Sequence, residues 1–170
     1  LWIDFGDLGI KKTSAQIKQE IADRVAKRNS QGLKTPHLAA ILVGEDGASK
    51  TYVGAKVKAC KKVGFESSLV ELPASISEAE LLSEIQKLNQ NEAVDGFIVQ
   101  LPLPDHIDEQ KVINAVHPAK DVDGFHPVNV GKLVLGLPTF IPATPNGIVE
   151  LLARAGVETE GKTCLVIGRS

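Results

Sequence analysis

The chain has 170 residues, 43% of them hydrophobic and 24% charged, with a net charge of -2. That composition fits a folded globular protein of one domain, or one domain and the opening of another, and it excludes a basic field for nucleic acid or a membrane surface. Cys60 and Cys164 are its two cysteines and supply neither a disulfide framework nor a zinc pattern; with no apolar run long enough to span a bilayer, the expected setting is a reducing cytoplasm.

Ile17, Ile21, Ala22 and Val25 share one helix face, so 14–28 is read as a helix capped by Ser14. "HLAAILVG", 37–44, is a continuous apolar run ending in glycine, the pattern of a buried parallel strand. Residues 49–63 read as a helix and "SSLVEL", 67–72, as a strand. Ser77 to Glu80 is a capping box opening a helix to about Asn89. "DGFIVQ", 95–100, is a strand cut off by Pro102 and Pro104. A helix is expected over 108–116, a loop over "PAKDVDGFHP", 118–127, and a helix over 144–155 with Pro145 in its first turn. "TCLVIG", 163–168, reads as another buried strand. This alternation predicts an α/β fold with a mostly parallel sheet and helices on both faces. "PTFIPATP", 138–145, is the expected hinge. It divides a first domain, 1–143, from the linker helix and first strand of a second, 144–170. The strand that runs into "GRS" implies that the second domain continues past Ser170.

"TYVGAK", 51–56, holds the only tyrosine. On a wheel of about 100° per residue, Lys56 falls about 40° from Tyr52, in the middle of the arc made by Val53, Val57, Ala59, Cys60 and Val63. Lys58, Lys61 and Lys62 fall on the opposite, solvated side. Lys56 either snorkels along the apolar face to water or sits desolvated with a depressed pKa, able to exchange protons near neutral pH. Tyr52, one turn earlier on the same face, can share its space.

Gln100 closes its strand, and open parallel sheets bind ligands beyond the carboxyl ends of their strands. An amide there either bonds its own loop or orients a lysine without locking it into an ion pair. "KDVDGF", 120–125, places two carboxylates at i and i+2 before a glycine. They cap a turn, or one of them, Asp123, grips the N–H edge of an aminopyrimidine by two hydrogen bonds. Two aspartates fall short of a calcium loop, and no metal site is expected.

"TYVGAKVKACKKVGF", "VDGFIVQLPLP", "PAKDVDGFHPVNVGKL", "PATPNGIVELL" and "GKTCLVIGRS" stand in the order and spacing of one family. Over 37–170 the chain resembles the bifunctional methylenetetrahydrofolate dehydrogenase/methenyltetrahydrofolate cyclohydrolases, the bacterial ones most of all. Its opening, "LWIDFGDLGIKKTS", departs from their usual first strand and turn. The resemblance implies a folate-binding catalytic domain followed by a Rossmann-type NADP-binding domain. It implies oxidation of 5,10-methylenetetrahydrofolate with NADP, and then hydrolysis to 10-formyltetrahydrofolate. It also implies a cytoplasmic homodimer. Carried over residue by residue, it places catalysis on Lys56, Tyr52 and Gln100. The substrate falls on Tyr52, Val53, Gly54, Ala55, Lys56, Val99, Gln100, Leu101 and Asp123, and NADP on Thr144, Gly168, Arg169 and Ser170. The ribose-reading residues would follow Ser170, so NAD stays open beside NADP. Two competing readings are a short-chain dehydrogenase, whose glycine-rich turn precedes its Tyr/Lys pair, and a folate-binding module without turnover.

Overall fold

The computed structural model describes residues 9–166. In chain order its elements are α1 (Ile10–Ser30), β1 (His37–Val43), α2 (Gly47–Val63), β2 (Glu66–Leu72), α3 (Glu78–Gln90), β3 (Gly96–Val99), α4 (Glu109–Ala115), α5 (Pro127–Val134) and α6 (Ala143–Arg154). The three strands form one parallel sheet in the order β2-β1-β3.

The central strand explains the layers. Its side chains alternate between two faces, and both faces are covered. Ala39, Ile41 and Val43 pack with Leu81 and Ile85 of α3 and Val112 of α4. Ala40 and Leu42 pack on the other face with Val53 of α2 and Ile98 of β3. A strand buried on both sides must be apolar at every position, which is why 38–43 carries no polar residue. Each large side chain buried there contributes about 1.5–3 kcal/mol of transfer free energy. Strand β2 lies at the edge and alternates, leaving Glu66 and Glu71 exposed.

Capping chemistry sets most of the helix starts. Asp46 accepts the Ser49 amide at 2.7 Å and opens α2 slightly earlier than the expected residue 49. Ser77 and Glu80 complete the capping box of α3 as expected. The start of α1 differs from expectation. The helix begins at Ile10 after Gly9, which takes φ 59°, and Ser14 lies inside it. Ile10, Ser14, Ile17 and Ile21 form a face that lines an apolar groove with Ala59, Cys60 and Leu151. Packing therefore carries the helix a turn beyond the cap that Ser14 would provide.

Two further expectations change. The loop over 118–127 is right, but α5 follows it directly and was not foreseen. His126 caps α5, its ring Nδ1 accepting the Val128 amide at 3.1 Å, and Pro127 fills the first position, where no N–H is needed. The expected strand over 163–168 does not form in its described part. Residues 163–166 have no ladder, and Leu165 and Val166 are more than four-fifths exposed. A parallel strand exists only against a neighbour, and none of the described strands pairs with 163–166. Residues 167 and 168 lie outside the described residues.

Candidate active site

The carboxyl end of β3 opens into a cleft of about 700 Å³ lined by Tyr52, Lys56, Val99, Gln100, Leu101, Asp123, Phe125 and the 142–145 segment. Its position follows from the fold. In a parallel sheet the chain leaves each strand at the same edge, and side chains from several loops converge there.

Helix α2 supplies the first wall. Val53 is 1% exposed and points into the core between Ala40 and Ile98, which fixes the helix rotation. That rotation leaves Lys56 half-buried, while Lys58, Lys61 and Lys62 are exposed. The wheel had separated the same four lysines. Tyr52 is 65% exposed and stands at the mouth.

Strand β3 supplies the floor. The Gln100 amide N–H donates to Ile41 O at 2.9 Å, so its backbone is held one residue past the strand. Its side chain does both things the sequence left open. Nε2 donates to Leu101 O at 2.7 Å, and Oε1 accepts from Lys56 Nζ at 3.3 Å. The loop bond orients the amide so that its oxygen faces the lysine. The Leu101–Pro102 peptide that follows is cis.

The two carboxylates of "KDVDGF" divide the two roles. Asp121 is buried and is the turn former. Its Oδ1 accepts the amides of Gly124 and Phe125 at 3.1 and 3.3 Å, and its Oδ2 accepts that of His126 at 2.8 Å. Asp123 faces the cleft and, among the described residues, takes part in no hydrogen bond within the protein. Burial pushes its carboxyl above the usual range. The charge of Lys56 pulls it back, and that of Asp121 adds to the rise.

A raised carboxyl has a thermodynamic consequence. Native Asp123 keeps its proton to a higher pH than the unfolded chain does. Stability therefore falls as pH climbs from the ordinary carboxyl value through the native one. Asp123→Asn is expected to be more stable than wild type at neutral pH, with the difference fading as pH drops below the ordinary value. Denaturant midpoints measured against pH check this, and a constant difference across that window would contradict it.

Gly124 brings the opposite wall close. Its φ is +71°, and a Cβ there would lie 2.8 Å from Phe140 O and 3.1 Å from Pro142 Cδ. Only glycine lets the 140–142 backbone approach the Asp123 turn. Gly124→Ala is expected to cost about 1–3 kcal/mol from strain and overlap. A lowered melting temperature measures it, and an unchanged one would show that the walls do not touch as described.

Of the expected site residues, Tyr52, Lys56, Val99, Gln100, Leu101, Asp123 and Thr144 are brought together in this one cleft. Val53 serves the core instead. Gly54 and Ala55 lie on the same turn of α2 but do not line the cleft. Gly168, Arg169 and Ser170 lie outside the described residues. Phe125, Pro142, Ala143 and Pro145 were not foreseen as lining residues. Phe125 had a signal, since it follows the Asp-Gly turn by one residue. The other three lie on a segment read as a hinge.

The cleft therefore offers a half-buried amine held by a neutral amide, a carboxyl with no hydrogen-bond partner among the described residues, and a lining with two aromatic and five prolyl or aliphatic residues. Such a slot suits a flat heterocycle with N–H donors along one edge and a reacting centre near the amine.

Residues 8–123 match the family model of the tetrahydrofolate dehydrogenase/cyclohydrolase catalytic domain. The chain belongs to that family. Tyr52, Lys56 and Gln100 fall inside the matched stretch, and Asp123 is its last residue. The bifunctional protein FolD of Flavobacterium psychrophilum is 63% identical over 160 residues, which are 94% of this chain and 54% of that protein. The FolD protein of Porphyromonas gingivalis is 60% identical over the same length. The chain spans about half the length of these curated relatives. Among solved structures, the bifunctional FolD methylenetetrahydrofolate dehydrogenase/cyclohydrolase of Campylobacter jejuni superposes with a TM-score of 0.92 at 44% identity, covering 96% of this chain and 58% of that one. The Trypanosoma brucei enzyme, complexed with NADP cofactor and inhibitor, gives 0.84 at 37% identity, covering 95% and 54%. Family membership and the order of motifs set aside the short-chain dehydrogenase reading.

Proposed function

We propose that the whole protein oxidises 5,10-methylenetetrahydrofolate to the 5,10-methenyl form with NADP, and hydrolyses that product to 10-formyltetrahydrofolate. The observation that carries this is the Lys56–Gln100 pair facing Asp123 across one cleft. The half-length match to proteins named bifunctional FolD supports it.

In this reading Asp123 accepts the N–H edge of the pterin and so fixes where the reacting carbon lies. Tyr52 and Phe125 border the ring system at the mouth. In the hydrolytic step, water attacks the methenyl carbon. It gives up two protons in becoming a formyl oxygen. One goes to the departing ring nitrogen and the other to solvent. Lys56 is the group placed to take and return a proton there. Gln100 holds the amine in position, and as a neutral partner it does not tie the amine up as an ion pair.

The dehydrogenase step asks less of this chain, since bound NADP supplies the hydride acceptor. Thr144, in the first turn of α6, lines the same cleft and would meet the cofactor there. The other proposed cofactor contacts are Gly168, Arg169 and Ser170. The proposed organisation is a folate-binding domain over 1–143, with 144–170 opening a Rossmann-type domain. Assembly as a homodimer in the cytoplasm belongs to the same proposal and rests on the resemblance. Among the described residues no helix is long and apolar enough to cross a membrane.

Turnover separates the enzyme from a binding module. With methylenetetrahydrofolate and NADP, the full-length protein should generate the methenyl chromophore and then consume it. Folate binding without turnover on either NADP or NAD would establish the module instead.

A further inference from the structure

Asp121 is 5% exposed, and a buried carboxylate costs several kcal/mol unless its oxygens are bonded. Here four N–H donors supply those bonds. Three are the backbone amides of Gly124, Phe125 and His126, and the fourth is Asn129 Nδ2 at 2.8 Å. Asn129, itself 3% exposed, spends its second N–H on Pro118 O at 2.9 Å, and its Oδ1 accepts Thr139 Oγ at 2.9 Å. No buried side-chain polar atom among the described residues is left unbonded.

An ordinary aspartate turn needs one or two such bonds from an exposed side chain. This one ties together three separate pieces of chain: the 118–126 loop, α5 through Asn129, and the segment entering the cleft wall through Thr139. Residue 121 is also bridged to Phe97 of β3, and Phe97 N–H donates to Lys120 O at 2.9 Å, so the loop is anchored to the sheet. Asp123 lies between the amides that Asp121 binds and the residue the sheet holds. Among the described residues it makes no hydrogen bond of its own.

We infer that Asp121 is a positioning residue: with Asn129 and Thr139 it forms a buried clamp that fixes the 122–126 turn and aims Asp123 into the cleft. What Asp123 binds rests on the folate proposal above; the clamp rests on geometry alone. Because Thr139 precedes the Pro142–Pro145 wall, the same clamp sets the distance between the two sides of the cleft.

The test uses full-length protein and three variants. Thr139→Val removes the hydroxyl at the outer end of the clamp with little change of shape, Thr139→Ser keeps it, and Asp121→Asn replaces one acceptor oxygen with a donor. The folate-free readout is the pH midpoint of the Asp123 carboxyl, followed by carbon NMR. Thr139→Val should move that midpoint toward the ordinary carboxyl value. It should also weaken tetrahydrofolate binding by about fivefold, with the kinetic loss falling on KM more than on kcat. Thr139→Ser should restore both. Asp121→Asn should weaken binding further, and that effect should vanish when Asp123 is already alanine. If Asp121→Asn does not fold, Thr139→Val decides. An unchanged Asp123 midpoint in folded Thr139→Val overturns the clamp. A shifted midpoint in a protein that binds no tetrahydrofolate overturns the folate proposal and leaves the clamp standing.

Discussion

Lys56→Met is expected to lower the rate of methenyltetrahydrofolate hydrolysis by about 10²–10⁴-fold, the range supplied by a positioned proton carrier. The fold should survive. Lys56 is half-buried, and its ammonium donates to Gln100 Oε1 from the end of an apolar methylene stem. Methionine replaces that stem with similar volume. Oxidation of the methylene substrate should fall less, because hydride transfer requires no proton carrier at that position. Gln100→Glu offers a second arm. It would hold the amine as an ion pair and slow the hydrolysis in the same direction. Initial rates of loss of the methenyl chromophore measure both variants. Hydrolysis by folded Lys56→Met at the wild-type rate would remove Lys56 from the chemistry.

Asp123→Ala is expected to weaken tetrahydrofolate binding by about tenfold to a hundredfold, since hydrogen bonds to a charged group contribute roughly 1.5–3 kcal/mol. Two features support a large effect. Asp123 takes part in no hydrogen bond within the protein among the described residues, so its acceptors are free for a ligand. Its carboxyl is desolvated and raised, so the protein pays for keeping it, and bonding the pterin N–H edge would offset that cost. The loss should appear in the dissociation constant, with the melting temperature unchanged or higher. Equilibrium titration of the wild type and Asp123→Ala checks this. An equal dissociation constant would show that the pterin is held elsewhere.

Much of this was legible in the residues, for identifiable reasons. The buried strand over 37–44 and the capping box at Ser77 are local signals that tertiary packing reinforces. Lys56 could be singled out because a helix wheel is a packing argument: Val53 and Cys60 must face the core, and the lysine between them follows. Asp121 and Asp123 were less decidable. Either could form the turn, and only the position of Phe97 and the amides of 124–126 shows that the first is inward and the second turned to the cleft. Helix α5 escaped notice because Gly131 and its valines are weak helix formers, and it owes its place to the Asn129 clamp, a long-range contact. Ser14 misled for a similar reason, since the cap signal was sound but Ile10 had a groove to fill. The strand over 163–168 depends on a ladder that no described residue provides.

The most direct test of the account is a crystal structure of the protein with a bound tetrahydrofolate. The pterin N–H edge is expected within hydrogen-bond distance of the Asp123 carboxylate, with the N5–N10 side of the ligand facing Lys56 Nζ. A folate seated outside this cleft, or in it with the pterin turned away from Asp123, would contradict the account.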